Sequence, residues 1–305
     1  MKIFFGSSIS TEMKFLISQD IEISNDLVIE KFSDGEILPK FLKSVRNEDI
    51  FLIQSLTNSN LIIETLLTMD AAKRAGCNSI SLVAPYLSYS RQDKTDHLRS
   101  SIGAKMMADI LESVGMATLI TIDLHASSIQ GFYNDPVIHL NGSKIFIEYI
   151  KDHRIEDLTI VAPDQGAVKR ASDFCKAFPE ATFAMINKKR IKPNEVHSME
   201  LVGDVKGRNV VIVDDMVDTG KTLSKAVNII LENGALSVRA VATHGVLSGE
   251  GKKIINDSKL LELLVSDTIN NKPDGKIKVI SCAGLITKSI IAITNKKSIH
   301  EFNNV

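Results

Sequence analysis

The sequence predicts an α/β protein of two similar halves, each a largely parallel sheet flanked by helices. Short, nearly continuous apolar runs rich in β-branched residues recur through the 305 residues. Such runs are the mark of strands buried on both faces, as in parallel sheets. Patterns of helical period separate them, and that alternation places helices on sheet faces. There is also a weak internal repeat. "TLITIDLH" (118–125) and "NVVIVDDM" (209–216) both run an apolar strand into an acid at its carboxyl end.

The strands expected in the first half are 49–54, 79–86 and 118–125. In the second half they are 158–164, 181–186, 209–215, 238–245 and 277–282. A helix is expected over 61–75, where Ile62, Leu66 and Met69 share a face with Ile63 and Leu67. Another is expected over 102–114, where Ile102, Met106, Ile110 and Val114 recur every four residues. A third, 219–235, ends in Asn233-Gly234, a good helix stop. Asn141-Gly142 interrupts the pattern near "HLNGSK" (139–144). The boundary is placed there, giving domains 1–140 and 141–294.

Composition narrows the function classes. A formal net charge of −1 gives no surface for a polyanion. Aromatics are few and Trp is absent, so single-stranded nucleic acid would find no stacking platform. Cys77, Cys175 and Cys282 lie far apart, with no Cys-x-x-Cys pair, which fits neither a zinc knuckle nor a disulfide framework. A reduced, cytoplasmic compartment is expected. "MKIFFGSS" has no long apolar core behind its Lys, so no signal peptide is expected. No run approaches the roughly 20 apolar residues of a membrane span.

Ligands of open α/β sheets bind beyond the carboxyl ends of strands. That rule singles out Tyr86–Lys94, Asp123–His125, Asp164–Gly166, Asp214–Thr222 and Thr243–Gly245. The most informative of these is "NVVIVDDMVDTGKTLSKAV" (209–227). A strand ending at Val213 and a helix starting near Thr219 leave backbone N–H groups pointing outward at a helix N-terminus. That arrangement suits phosphate. Thr219 and Thr222 carry hydroxyl donors, and Gly220 permits close approach. Carboxylates beside a phosphate cradle make sense if they accept hydrogen bonds from sugar hydroxyls or act through a divalent cation. Phosphate with a vicinal diol is a ribose phosphate. "GKT" resembles a Walker A loop, but Asp215 stands where that motif needs its first Gly. A plain strand–turn–helix, with Thr or Asp serving only as the cap, stays open at this point.

The stretch resembles the phosphoribosyl-pyrophosphate loop of type I phosphoribosyltransferase folds. "KFSDGEI" (31–37), "PYLSYSRQDK" (85–94), "TIDLHASSIQGFY" (121–133), "VAPDQGAVKRA" (161–171), "NKKRIKPNEV" (187–196) and "THGVLSGEG" (243–251) occur in the order and spacing of the ribose-phosphate pyrophosphokinases. The resemblance spans essentially the whole chain. It implies two tandem phosphoribosyltransferase-like domains, the first joined by the C-terminal segment 295–305. It implies transfer of the pyrophosphoryl group of ATP to the C1 hydroxyl of ribose 5-phosphate, with AMP leaving. It also implies Mg²⁺ and self-association as a homodimer or homohexamer.

Residue by residue, the resemblance assigns Asp34, Gly35 and Glu36 to adenine contact from a neighbouring subunit. Arg91, Gln92 and Asp93 match the ATP-binding stretch. His125 and Asp164 match the Mg²⁺ positions, with Asp123 as an orienter of His125. Lys188 and Arg190 match the catalytic Lys-x-Arg on a flap, where cations stabilise charge on the transferring phosphates. Asp214, Asp215, Asp218, Thr219, Gly220, Lys221 and Thr222, with Arg190, match the ribose 5-phosphate site.

Some positions depart from the family. Lys221 stands where a small residue is usual, and Ala167 replaces a second Gly after "PDQG". The 53–60 loop is short and lacks its usual Pro. Gly76 and His300 stand where Ser is common, which points to altered control by phosphate and ADP. Alternative functions are a phosphoribosyltransferase that consumes phosphoribosyl pyrophosphate and a non-catalytic regulatory homologue. Arg91-Gln92, the Lys188-x-Arg190 pair and the duplicated half weigh against the first. The retained flap cations and phosphate loop weigh against the second.

Overall fold

The computed structural model describes residues 1–95, 97–192 and 195–303, and the side chains of all of these except 188–192, 195–198, 301 and 302. The chain divides into two compact units. One is Met1–Leu140 with Thr268–Asn270 and Ala283–Phe302; the other is Asn141–Asp267 with Asn271–Cys282 and the chain end from Asn303.

The first unit contains β1 (Lys2–Phe5), α1 (Thr11–Ser18), β2 (Leu27–Lys31), β3 (Ile37–Phe41), β4 (Asp49–Ile53), α2 (Ser59–Arg74), β5 (Ser79–Ala84), α3 (Gly103–Ser113), β6 (Thr118–Ile122) and β7 (Val137–Leu140). Its main sheet has the order β1-β4-β5-β6-β7, and every pairing is parallel. Strands β2 and β3 form a separate antiparallel hairpin, with Leu27 opposite Phe41 and Lys31 opposite Ile37.

The second unit contains α4 (Ser143–Asp152), β8 (Leu158–Ala162), α5 (Val168–Cys175), β9 (Thr182–Lys192), β10 (Glu195–Val202), β11 (Asn209–Val217), α6 (Lys221–Glu232), β12 (Ser237–Gly245), α7 (Gly251–Asp257), β13 (Glu262–Ser266) and β14 (Ile277–Ile280). Its sheet runs β10-β9-β8-β11-β12-β13-β14, parallel except for the β9–β10 pair. The chain then enters α8 (Ala283–Thr294), which packs on α1, and α9 (His300–Asn303). That contact returns the chain to the first unit at Ala283, ahead of the position 295 suggested by the sequence.

The apolar runs are buried on both faces. In the second unit Val210, Ile212, Ala240 and Val265 meet Leu223, Ala226, Val227 and Ile230 of α6. The alternate residues Val211, Val213, Val241 and Leu264 meet Phe146 and Ile150 of α4 and Phe174 of α5. Period-two alternation divides each strand between two helical layers. Strands β1, β2, β3, β7, β10 and β13 were not read from the sequence.

Two helix faces differ from the expected ones. On α2, Ile62 and Met69 are buried, while Ile63 is 50% exposed and Leu67 39% exposed. The buried stripe continues instead through Glu64, Thr65, Thr68 and Ala72. On α3, the four-residue repeat of Ile102 and Met106 faces outward, and Ala104, Met107, Ala108 and Leu111 are buried. The small residues Gly103, Ala104 and Ala108 let that side approach the sheet, which decides the face against a row of larger side chains. Met107→Ala should therefore cost about 2–5 kcal/mol, and Met106→Ala within about 0.5 kcal/mol. Urea denaturation midpoints measure both, and equal losses would mean the stripe is assigned wrongly.

Candidate active site

The second sheet reverses its order at β8. The chain passes from β8 to β9 on one side and later enters β11 on the other. Open α/β sheets bind ligands at such a reversal, beyond the carboxyl ends of the strands. Strand β8 pairs with β11 over Leu158–Val161 and Asn209–Ile212. Strand β11 continues against β12 as far as Val217 opposite Gly245. Residues 214–217 therefore run past the last β8 pairing with a strand on one side only. The strand thus runs two residues beyond the 209–215 expected, and past the Val213 end taken for the loop. The pairing with β12 keeps both acids in the strand, and their side chains still reach one another.

The two acids live in different surroundings. Asp215 is 4% exposed, and its Oδ1 lies 3.5 Å from Nη1 of Arg170 on α5. Asp214 is half-buried and accepts a 2.9 Å hydrogen bond from the Asp215 N–H. Crowding by protein, then the neighbouring Asp215 carboxyl, then the charge of Asp164, push the Asp214 carboxyl well above its ordinary value. Asp164 follows β8, and its Oδ1 accepts a 3.2 Å hydrogen bond from the Ala167 N–H. Ala167 is buried and adopts ordinary helical angles, so the methyl replacing the family's glycine is absorbed into the core.

The phosphate loop follows. Helix α6 begins at Lys221, two residues later than expected, because Gly220 takes the N-cap position with φ +73°. No side-chain hydrogen bond caps this helix, so Thr219 and Asp218 do not serve as its cap. The first backbone N–H groups of α6 lack the usual internal acceptor. Thr219, Lys221 and Thr222 are exposed around them. A Cβ at Gly220 would sit 3.1 Å from Ile255 Cδ1 and 3.3 Å from the Gly251 carbonyl oxygen. Gly251 presses on the loop in turn: a Cβ there would lie 2.7 Å from the Asp218 carbonyl oxygen. The Leu247 N–H donates to the Val217 carbonyl at 3.0 Å, and the Ser248 hydroxyl donates to Asp218 Oδ1. The segment 245–251 thus clamps the loop from outside.

Lys188 and Arg190 lie on β9, opposite Met199 and Val196 of the edge strand β10. Their side chains fall outside the described residues, so the flap assignment has no structural account.

In the first unit, Asp34, Gly35 and Glu36 form the exposed tip of the β2–β3 hairpin. The Glu36 N–H donates to Asp34 Oδ1 at 3.0 Å, the sign of a self-closed turn. Gly35 and Glu36 border a cleft of about 950 Å³ with Ser7, Ser8 and Glu64. Arg91 and Gln92 are exposed beyond β5, with the Gln92 carbonyl accepting from the Ala104 N–H at the start of α3. Asp93 follows them, half-buried. Beyond β6, Asp123 is buried with φ +41°, and the Leu124 N–H donates to His139 Nε2 at 2.9 Å. This turn leaves His125 exposed. Among the described residues, no three His, Cys, Asp or Glu side chains converge as a ready metal cage.

Sequence reasoning did not assign roles to Arg170 or Ser248. Both lie in quoted motifs, "AVKRA" and "GVLSGEG", but each acts on an acid far away in the chain, which no local pattern announces.

A sequence model of the N-terminal domain of ribose phosphate pyrophosphokinase matches residues 1–115. One of a phosphoribosyl synthetase-associated domain matches residues 169–303. A ribose-phosphate pyrophosphokinase of Vibrio cholerae is 40% identical, over 100% of this chain and 99% of its own. This chain belongs to the ribose-phosphate pyrophosphokinase family. Its relative from Porphyromonas gingivalis is 42% identical, over 89% of this chain and 87% of its own. The crystal structure of phosphoribosylpyrophosphate synthetase from Mycobacterium smegmatis superposes with a TM-score of 0.90 at 32% identity, covering 97% of this chain and 99% of that one. The pyrophosphokinase fold therefore extends across both units.

Two outcomes test the local geometry. The ionised form of Asp214 is disfavoured in the folded chain, so its charge costs stability as pH rises above the ordinary value of 3.8. Asp214→Asn should raise stability by about 1–2 kcal/mol at neutral pH. The gain should vanish as pH falls below 3.8, where the acid is neutral in both folded and unfolded chains. Thermal melts across pH measure this, and a gain independent of pH would contradict the carboxylate crowding. Gly220→Ala should cost about 1–2 kcal/mol from the left-handed backbone alone. A stability loss near zero in the same melts would mean that the loop does not depend on glycine.

Proposed function

We propose that this chain makes phosphoribosyl pyrophosphate, with ribose 5-phosphate bound at the end of β11 and its loop. The observation that carries this is the α6 N-terminus, left without a side-chain cap beside the crowded Asp214 carboxylate. The free N–H groups and the hydroxyls of Thr219 and Thr222 suit a 5-phosphate. Asp214, with Asp215 behind it, suits ribose hydroxyls as an acceptor. Asp218 is held by Ser248 and so orients the loop, and the exposed Lys221 adds a cation at its rim.

ATP is read at Arg91, Gln92 and Asp93, with Asp34, Gly35 and Glu36 supplied by a neighbouring subunit of a homodimer or homohexamer. The exposed hairpin tip fits that use. The C1 hydroxyl of ribose 5-phosphate attacks the β-phosphorus of ATP. A C1–O–Pβ bond forms, the bond from Pβ to the α,β-bridging oxygen breaks, the hydroxyl proton is lost and AMP leaves. Lys188 and Arg190 neutralise charge on the transferring and leaving oxygens.

The donor chemistry fits Mg²⁺. Asp164 and Asp214 already repel one another, and hard oxygen ligands that leave room for water and phosphate suit this ion. The resemblance to the pyrophosphokinases gives Asp164 and His125 as its ligands. When bound, it neutralises phosphate charge and makes the attacking hydroxyl more acidic. The reaction belongs to the cytoplasm, and among the described residues no helix is long and apolar enough to cross a membrane. No nucleic acid or membrane partner is assigned.

The test is a coupled assay with purified protein, ribose 5-phosphate, ATP and Mg²⁺. AMP and phosphoribosyl pyrophosphate should form one-to-one, and Lys188→Ala should lower kcat by about 10²–10³-fold. Absence of product at every phosphate level would remove the enzyme reading and favour the regulatory homologue.

A further inference from the structure

We infer that Arg170 is a positioning residue for the ribose site, acting through Asp215 to keep Asp214 as the one uncompensated carboxylate presented to the sugar. The inference rests on the reading of Asp214 and the loop as the ribose 5-phosphate site.

Three carboxylates gather where the sheet order reverses. Asp214 carries the electrostatic influence of both Asp215 and Asp164. The Arg170 guanidinium faces Asp215, with Nη1 3.5 Å from Asp215 Oδ1. Both partners are well covered: the side chains are 19% exposed for Arg170 and 6% for Asp215. A carboxylate so covered is sustained only by a partner charge and hydrogen bonds. Among the described residues, Asp214 has no such ion pair. Of the two adjacent acids, Asp215 is the one that the α5 guanidinium faces, and Asp214 is left to accept from hydroxyls.

The anchor also acts on geometry. Asp215 is the strand residue next to Asp214, and its N–H is the one bonded to Asp214 Oδ1. Residues 214–217 have lost β8 as a neighbour. Arg170, from the helix that follows β8, therefore ties the free flank of β11 to the element that its hydrogen bonds no longer reach. Removing the guanidinium takes from the buried Asp215 the cation that faces it. It also adds a negative charge to a site that must admit a phosphate, so ribose 5-phosphate binding should suffer before ATP binding does.

Steady-state kinetics on the full-length protein test this, with KM for each substrate and kcat followed separately. Arg170→Met should raise KM for ribose 5-phosphate about 10-fold or more while KM for ATP changes little. Arg170→Lys, which keeps the charge but loses the planar fork, should fall between the two. The decisive variant is Arg170→Met with Asp215→Asn. Removing the stranded charge together with its partner should recover most of the ribose 5-phosphate KM lost in Arg170→Met, as a double-mutant cycle requires of a coupled pair. A merely structural arginine would give additive losses, a fall in both substrates' KM quality alike, and no recovery. Either no change in Arg170→Met or no recovery in the double variant overturns the inference. Asp214→Asn is assayed in parallel. If it leaves KM for ribose 5-phosphate unchanged, the ribose-site reading itself fails, whatever Arg170 does.

Discussion

Strand β11 outruns β8 at the point where the second sheet changes direction, and the site follows from that mismatch. Had β8 continued alongside, Asp214 and Asp215 would be ordinary core positions and could not remain acids. Because it stops at Ala162, the last residues of β11 have an open flank, and Asp164 enters the same region from the strand end. The result is a concentration of like charge that folding alone does not favour. The raised proton affinity of Asp214 is the sign of that cost. Local strain of this kind persists where the surrounding structure over-determines it, and two packed helical layers do so here.

The phosphate loop depends on the same strand end. Its geometry is imposed from outside, by the 245–251 segment pressing Gly251 on Asp218 and Ile255 on Gly220. A helix N-terminus without a side-chain cap is marginal when isolated. Here it is tolerated because the loop is wedged between β11 and α7 and its free N–H groups face solvent-accessible positions. If the loop takes a phosphate as proposed, its amide dipoles are already set for it and little need move.

The first unit uses the same materials differently. Its main sheet keeps strict chain order from β1 through β4 to β7, with no reversal. Its polar centre is instead a buried network. Glu64 accepts from the Ser7 N–H and hydroxyl and from Gln54 Nε2, while Gln54 accepts from Ser8. Each buried polar atom of that network has a partner, so a carboxylate can sit on the inward face of α2 where an apolar residue would be expected. This explains why a search for apolar periodicity placed Ile63 and Leu67 inside. The helix spends one of its inward positions on Glu64, and the apolar count then favours the wrong stripe.

By itself the sequence determined the α/β class, the strands buried on both faces and the strand–loop–helix unit around residues 209–232. These are local properties: side-chain period, turn chemistry and the offset between an acid and the glycine after it. The tertiary structure alone decided the order of the strands, and with it which strand end lies at a reversal. It decided that Asp215 and not Asp214 meets Arg170, that Ser248 reaches Asp218, and that the stripe of α3 holding Ala104, Met107, Ala108 and Leu111 faces the core. Each depends on groups brought together across long stretches of chain by sheet pairing, and a one-dimensional pattern carries no measure of such distances.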